Sequence, residues 1–135
     1  MPGLFGWLDF GSDVAGASTA EAMALSMAHQ PKLLVETSAI ESFVAGRVHL
    51  GYVQSGQQPV FSKDNRYVLW LDGEFSNRDE LCSAYGLPKQ SVSSDAAFAI
   101  ALCERVGWQY LSRVEGIFVI ALFNRADQEL TLASD

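Results

Sequence analysis

Few side chains in this sequence are equipped for covalent or acid–base chemistry, and their spacing limits what each does alone. The thiols are Cys82 and Cys103. Both fall in apparently helical stretches with no CxxC partner and no histidine-rich neighbour, so a zinc site is not expected. Without a basic partner, neither reads as an activated nucleophile. His29 and His49 are isolated, each lacking a carboxylate or thiol at triad-like spacing. His49, in a strand pattern, reads as a core or sheet-surface residue. Carboxylates are better placed: Asp72 and Glu74 flank Gly73, and Asp95 follows Ser94 at a helix start. An ionised carboxylate accepts hydrogen bonds and repels a developing oxyanion, whereas an amide in the same place would stabilise it. The amino terminus is the remaining reactive group. The initiator Met is generally removed ahead of a small residue, leaving Pro2 with a secondary amine and no deprotonatable side chain.

Hydrophobic periodicity outlines the elements that must position these groups. Residues 4–10 form an apolar run interrupted by Gly6 and predict a buried strand almost at the terminus. Residues 11–17 read as loop. Ser18-Thr19-Ala20-Glu21 has capping-box spacing ahead of an Ala/Met/Leu-rich helix to about His29, closed by Pro31. Three β-like stretches follow at 33–37, 42–52 and 66–71, with turn clusters at 54–59 and 62–65. Such short links predict antiparallel pairing. Gly73 reads as a sharp turn after the third of these strands. A second helix opens at 76–79 and stops at Gly86 and Pro88. A third begins near Ser94-Asp95, carries Phe98, Leu102 and Val106 on one face, and ends at Gly107; residues 108–114 add a helical turn. Strands at 116–123 and 129–133 around a turn at 124–128 form a hairpin, its first strand buried on both faces along most of its length. Trp7, Trp70 and Trp108 read as core aromatics.

The 135 residues are 49% hydrophobic and 19% charged, the profile of a single folded domain with its own core. No repeat, low-complexity tract or linker divides 1–135. A net charge of −7 with scattered Lys and Arg argues against a nucleic-acid partner. The start has neither a basic n-region nor a long apolar run, so it reads neither as a signal peptide nor as a membrane span. Together with only two cysteines, this predicts a cytoplasmic location. The order β-α-β-β-β-α-α-β-β predicts an α+β fold of antiparallel sheets covered by helices.

Five segments, in order, carry a resemblance over the whole chain. They are Met-Pro-Gly-Leu-Phe-Gly-Trp at the start, Gly56-Gln57-Gln58-Pro59-Val60, Asp72-Gly73-Glu74-Phe75-x-Asn77, the stretch from Ser94-Asp95 through Leu102, and the run from Val114-Glu115-Gly116-Ile117-Phe118 to Leu130-Thr131-Leu132-Ala133-Ser134-Asp135. This pattern resembles the glutamine-hydrolysing class II amidotransferase domain of the asparagine synthetase family. The resemblance implies an N-terminal-nucleophile hydrolase-like αββα sandwich: two antiparallel sheets between helical layers. In active relatives a terminal cysteine attacks glutamine with its own α-amino group as base, an Asn-Gly pair forms the oxyanion hole, and an Arg and an Asp hold the substrate's carboxylate and amine. Ammonia then passes to a synthetase domain where ATP activates a carboxylate.

Departures from that pattern shape the functional expectation. Pro2 occupies the nucleophile position and Asp72 that of the oxyanion-hole Asn, so no catalytic residue is intact. The clamp region reads Gly51-Tyr52-Val53-Gln54-Ser55 and holds no Arg; Arg47 lies near, but its strand position does not match. His29-Gln30-Pro31-Lys32 replaces the family's Arg-Gly-Pro-Asp. Gly73, Glu74 and Asp95 match the pocket positions, with Asp95 read foremost as a helix N-terminal acid. The expectation is therefore a glutaminase-inactive domain of an asparagine synthetase-related, ATP-dependent amide- or lactam-forming protein, serving as a structural or regulatory module. The alternative is a stand-alone protein binding an amine or amino acid in an emptied pocket made negative by Asp72, Glu74 and Asp95. No cofactor or metal is expected in this chain, since it lacks a Ser-Gly-Gly-x-Asp-Ser loop; ATP and Mg²⁺ enter only if a synthetase domain follows. The family usually continues past the equivalent of Asp135 with further strands, so a C-terminal truncation is expected. It would leave a sheet edge that a second copy, a synthetase domain or a partner chain covers through the C-terminal hairpin.

Overall fold

A computed structural model describes residues 2–9, 14–52, 56–88 and 94–135. In chain order the elements are β1 (Gly3–Leu8), α1 (Val14–Met27), β2 (Leu34–Ile40), β3 (Phe43–His49), β4 (Val60–Phe61), β5 (Tyr67–Phe75), α2 (Arg78–Tyr85), α3 (Asp95–Val106), a 3-10 segment (Gly107–Arg113), β6 (Gly116–Asn124) and β7 (Glu129–Ser134). Sheet pairing is antiparallel throughout, in the orders β1-β3-β2 and β4-β5-β6-β7.

Strand alternation decides the layering. On β3, Phe43 and Ala45 face β5 and β6 and pack with Val68, Trp70, Ala121 and Phe123. The intervening Val44 and Val48 turn the other way, onto Ala20, Met23 and Ala24 of α1. Leu69, Leu71, Phe118, Ile120 and Leu122 of the second sheet face Phe98, Ala99 and Leu102 of α3 and Leu81 of α2. The result is the expected αββα sandwich, with α1 outside one sheet and α2 and α3 outside the other. At the middle of the inter-sheet layer Phe43 meets Trp70 edge-on, with ring centroids 5.3 Å apart. Of the other two tryptophans, Trp7 and Trp108 are half-buried.

Local signals place α2 and α3 well. Ser94 caps α3, its hydroxyl accepting from Ala97 N–H at 3.2 Å. Gly86 closes α2 in the left-handed region at φ 66°. Three expectations need correction. The first helix starts at Val14, so Ser18 and Glu21 lie inside it and form no capping box. Within the helix, Gly16 sits against the Trp7 ring so closely that a Cβ would lie 2.8 Å from its Cδ1. Phe10 of the expected strand, 11–13 of the expected loop, 53–55 of the clamp region and the first two residues of the 54–59 turn cluster lie outside the described residues.

The second correction concerns Gly73, which is no turn after a strand. β5 runs on through Asp72, Gly73 and Glu74, paired with Val119, Phe118 and Ile117. Gly73 adopts φ 119° there, and a Cβ would be driven into the Ile117 carbonyl oxygen. The third is that Val60 and Phe61 add a short strand the sequence reading did not anticipate. It is held by the Gln58 carboxamide, whose Nε2 donates to Leu71 O at 2.9 Å while its Oε1 accepts from Leu71 N–H at 2.7 Å. The β6–β7 hairpin is as expected, and β6 is buried from Ile120 to Asn124; Ile117 and Val119 nearer its start are exposed.

Candidate functional site

The inter-sheet layer changes character along its length. At one end the Glu41-Ser42 turn meets the β6–β7 turn: Ser42 donates to Gln128, and Glu41 accepts from Arg125 and Gln128. The middle is apolar. Beyond Ala45, the next two β3 residues on the same face are Arg47 and His49, both buried, at 1% and 7% exposure. Register places Glu36 opposite Arg47, and Asp72 continues the face of Val68 and Trp70 on the other sheet.

These groups form a connected polar cluster. Arg47 Nε donates to Glu36 Oε2 at 2.6 Å, and its Nη2 donates to the Gly56 carbonyl at 2.6 Å. His49 Nε2 stands 3.5 Å from the other oxygen, Glu36 Oε1, while Gly51 N–H donates to His49 Nδ1 at 3.2 Å. Because Nδ1 accepts, the neutral ring carries its proton on Nε2, facing Glu36. Burial holds the His49 pKa below its ordinary value, and the Arg47 charge adds to that; the Glu36 and Asp72 charges oppose it. The imidazole is therefore neutral at neutral pH.

Two sequence expectations change here. Arg47, set aside on its strand position, occupies the polar end of the layer. His49, isolated in sequence, has a carboxylate beside it in space. An arginine on the same alternation as Phe43 and Ala45, inside the apolar run Phe43-Val44-Ala45-Gly46-Arg47-Val48, was the available signal. A buried charge there demands a partner.

The remaining positions are less tightly gathered. Pro2 is exposed and precedes Gly3, which pairs with Val48, so Pro2 lies toward the Arg47–His49 end of β3. Asp72 is half-buried and its charge reaches His49. Glu74 is exposed. Asp95 is engaged on both oxygens, Oδ2 accepting from Phe75 N–H and Oδ1 from Arg78 Nη1, each at 3.0 Å. A Cβ on Gly56, whose carbonyl accepts from Arg47, would touch Ser94, the residue before Asp95, at 3.4 Å. Cys82 and Cys103 are distant in the architecture, buried between the second sheet and its helices. Burial pushes the Cys103 thiol up to about 11. Among the described residues no three His, Cys, Asp or Glu side chains are grouped to hold a metal ion, and no helix is long and apolar enough to cross a membrane.

A concavity of about 390 Å³ opens on the flank between β1 and β7. Leu4, Leu8, Phe43, Leu130 and Leu132 line it, and Leu132 is 72% exposed. It is apolar and contains none of the polar cluster.

Comparison with known proteins agrees with this architecture. A family model described as a glutamine amidotransferase domain matches residues 1–135. Asparagine synthetase [glutamine-hydrolyzing] 1 of Arabidopsis thaliana is 31% identical over 81 residues, which is 60% of this chain and 14% of that protein. Asparagine synthetase B [glutamine-hydrolyzing] of Escherichia coli strain K12 is 28% identical over 90 residues, 66% of this chain and 16% of that protein. The matched region is thus a small fraction of either relative's length. With the family model matching from end to end and two antiparallel sheets between helical layers, the chain belongs to the class II glutamine amidotransferase domains of the asparagine synthetase family.

Proposed function

We propose that this domain does not hydrolyse glutamine and acts as a structural or regulatory module of an asparagine synthetase-related, ATP-dependent amide- or lactam-forming protein. One observation carries the reading. The residue leading into β1 at the polar end of the inter-sheet layer is Pro2, which has no nucleophilic side-chain atom, and both thiols are buried on the far side of the second sheet. The state of the polar groups supports it further. Arg47 is bonded to Glu36 and Gly56, and Asp95 to Phe75 N–H and Arg78, so two charges able to hold an amino acid are engaged within the protein. Asp72, at the oxyanion position by resemblance, adds a negative charge where a donor is needed.

The same occupancy weighs against the alternative of a free-standing amine or amino acid receptor. ATP and Mg²⁺ belong, on this reading, to a following synthetase domain and to no residue of this chain. The open apolar flank is the surface offered to that domain, to a partner chain or to a second copy. The test is release of glutamate from glutamine by the purified chain. No release above buffer is expected, and release that a thiol-alkylating agent abolishes would overturn the reading. Light scattering after size exclusion tests the flank, where a strict monomer at high concentration, with no binding of a synthetase domain, counts against it.

A further inference from the structure

The two sheets differ by one strand, and the mismatch leaves part of the inter-sheet layer open. The first sheet has three strands and ends at β1; the second has four and ends at β7. Alternation on β6 puts Ile117 and Val119 on the same face as Ala121 and Phe123, and on β7 it puts Leu132 on the face of Leu130. Ala121 and Phe123 are buried against the first sheet, whereas Ile117, Val119 and Leu132 are 75%, 38% and 72% exposed. These inward apolar side chains lie past the last strand that covers them. The concavity between Leu4 and Leu132 is that uncovered strip.

A cover for it must lie in the plane of the first sheet. On this side the only backbone hydrogen-bonding groups of that sheet are those on the free edge of β1, since β2 bounds the opposite side. Charge selects the occupant. β1, β6 and β7 contain no Lys or Arg, while β7 begins with Glu129 and is followed by Asp135, and Glu74 pairs with Ile117. A second copy of this chain would bring its own Glu129 and Asp135 to the same rim, like charge against like.

We propose that the free edge of β1 accepts a strand from a partner polypeptide. The strand matches the six residues of β1 in length, is apolar at alternate positions and carries Lys or Arg at its ends. It extends the first sheet and lays its apolar side chains on Val119 and Leu132. The proposal rests on the reading of the flank as a docking surface; glutamate release tests the loss of glutaminase chemistry by itself, so the two fail separately.

The probe is the capped peptide Lys-Val-Thr-Val-Thr-Val-Lys, compared with the same peptide ending in Glu at both ends. Titration calorimetry on the full chain gives affinities, and amide hydrogen exchange locates the contact. The Lys-ended peptide is expected to bind about tenfold more tightly, with the gap closing at high salt. Amides of β1 are expected to gain protection. Leu132→Lys, at an exposed position, is expected to weaken the Lys-ended peptide by about tenfold or more without lowering the melting temperature. No binding, equal affinity for the two peptides, or protection gained at β2, β4 or β7 in place of β1 overturns the proposal, as does unchanged binding by Leu132→Lys. A dimer in light scattering that the Lys-ended peptide does not dissociate means that a second copy covers the strip, and refutes the partner strand.

Discussion

Gly73→Ala provides a sharp test of how the chain positions Asp72. At φ 119° the backbone lies where side-chain-bearing residues rarely go, which costs about 1–3 kcal/mol. The new methyl would also be driven into the Ile117 carbonyl, and Phe118 Cα would lie 2.5 Å away. The β5–β6 ladder must therefore spread, adding about 1–3 kcal/mol of overpacking. The sum is about 4 kcal/mol, or a melting temperature lower by about 12 °C in a domain of this size. Gly107→Ala is the internal control. That glycine also has a positive φ, 69°, with ψ −160°, but nothing lies within 4 Å of the added Cβ, so only the backbone strain of about 1–3 kcal/mol applies and the overpacking is absent. Urea unfolding followed by circular dichroism measures both. Equal midpoints for the two variants would refute the claim that close approach to β6, and not backbone angle alone, requires the glycine.

Other perturbations follow from the same geometry. On the proposed reading Pro2→Cys alone stays inert toward glutamine, because Asp72, at the oxyanion position by resemblance, carries a negative charge; turnover by this single variant would contradict that role. Because burial lowers the folded-state pKa of His49 from 6.5, the unfolded state takes up the proton first. Its contribution to stability is thus present above the unfolded value and is lost as pH falls below it. Urea midpoints of the wild type should fall more between pH 7.5 and 5.5 than those of His49→Gln, and parallel profiles would contradict this. With Cys103 pushed up to about 11 and Cys82 also buried, a disulfide reagent should label neither thiol in the native protein and both in urea. Rapid native labelling would contradict the packing.

Elements whose signals are local were legible in the sequence. Ser94 and Gly107 bound α3, Gly86 ends α2, and the β6–β7 hairpin turns where Asn124 Oδ1 accepts from the backbone of Ala126 and Asp127. What escaped depends on contacts between distant segments. The close approach of Gly16, inside α1, to the Trp7 ring is one such contact. β5 continues through Asp72 and Gly73, residues of poor strand propensity, because β6 is there to pair with them. Arg47 and His49 escaped for a related reason: a strand pattern shows which face a residue occupies, but not that Glu36 lies across the ladder from one and beside the other. Family motifs named Gly73, Glu74 and Asp95, but no motif shows the bonds of Asp95 to Phe75 N–H and Arg78 or the approach of Gly73 to Ile117.

The Gln58 carboxamide, which exchanges two hydrogen bonds with the Leu71 backbone, has a counterpart in Asn77, whose Nδ2 donates to Arg113 O and whose Oδ1 accepts from Glu115 N–H. Each side chain imitates a peptide group, splicing a loop to a segment it could not otherwise reach. Conservatism at these two positions is therefore a matter of atom type and not of size. Gln58→Glu and Asn77→Asp preserve shape almost perfectly, yet each sets a carboxylate oxygen against a carbonyl oxygen. Larger changes in volume on the solvent face of α2 would be forgiven more readily than these near-isosteric ones. A ranking of variants by resemblance of side-chain volume would invert the true order at both joints.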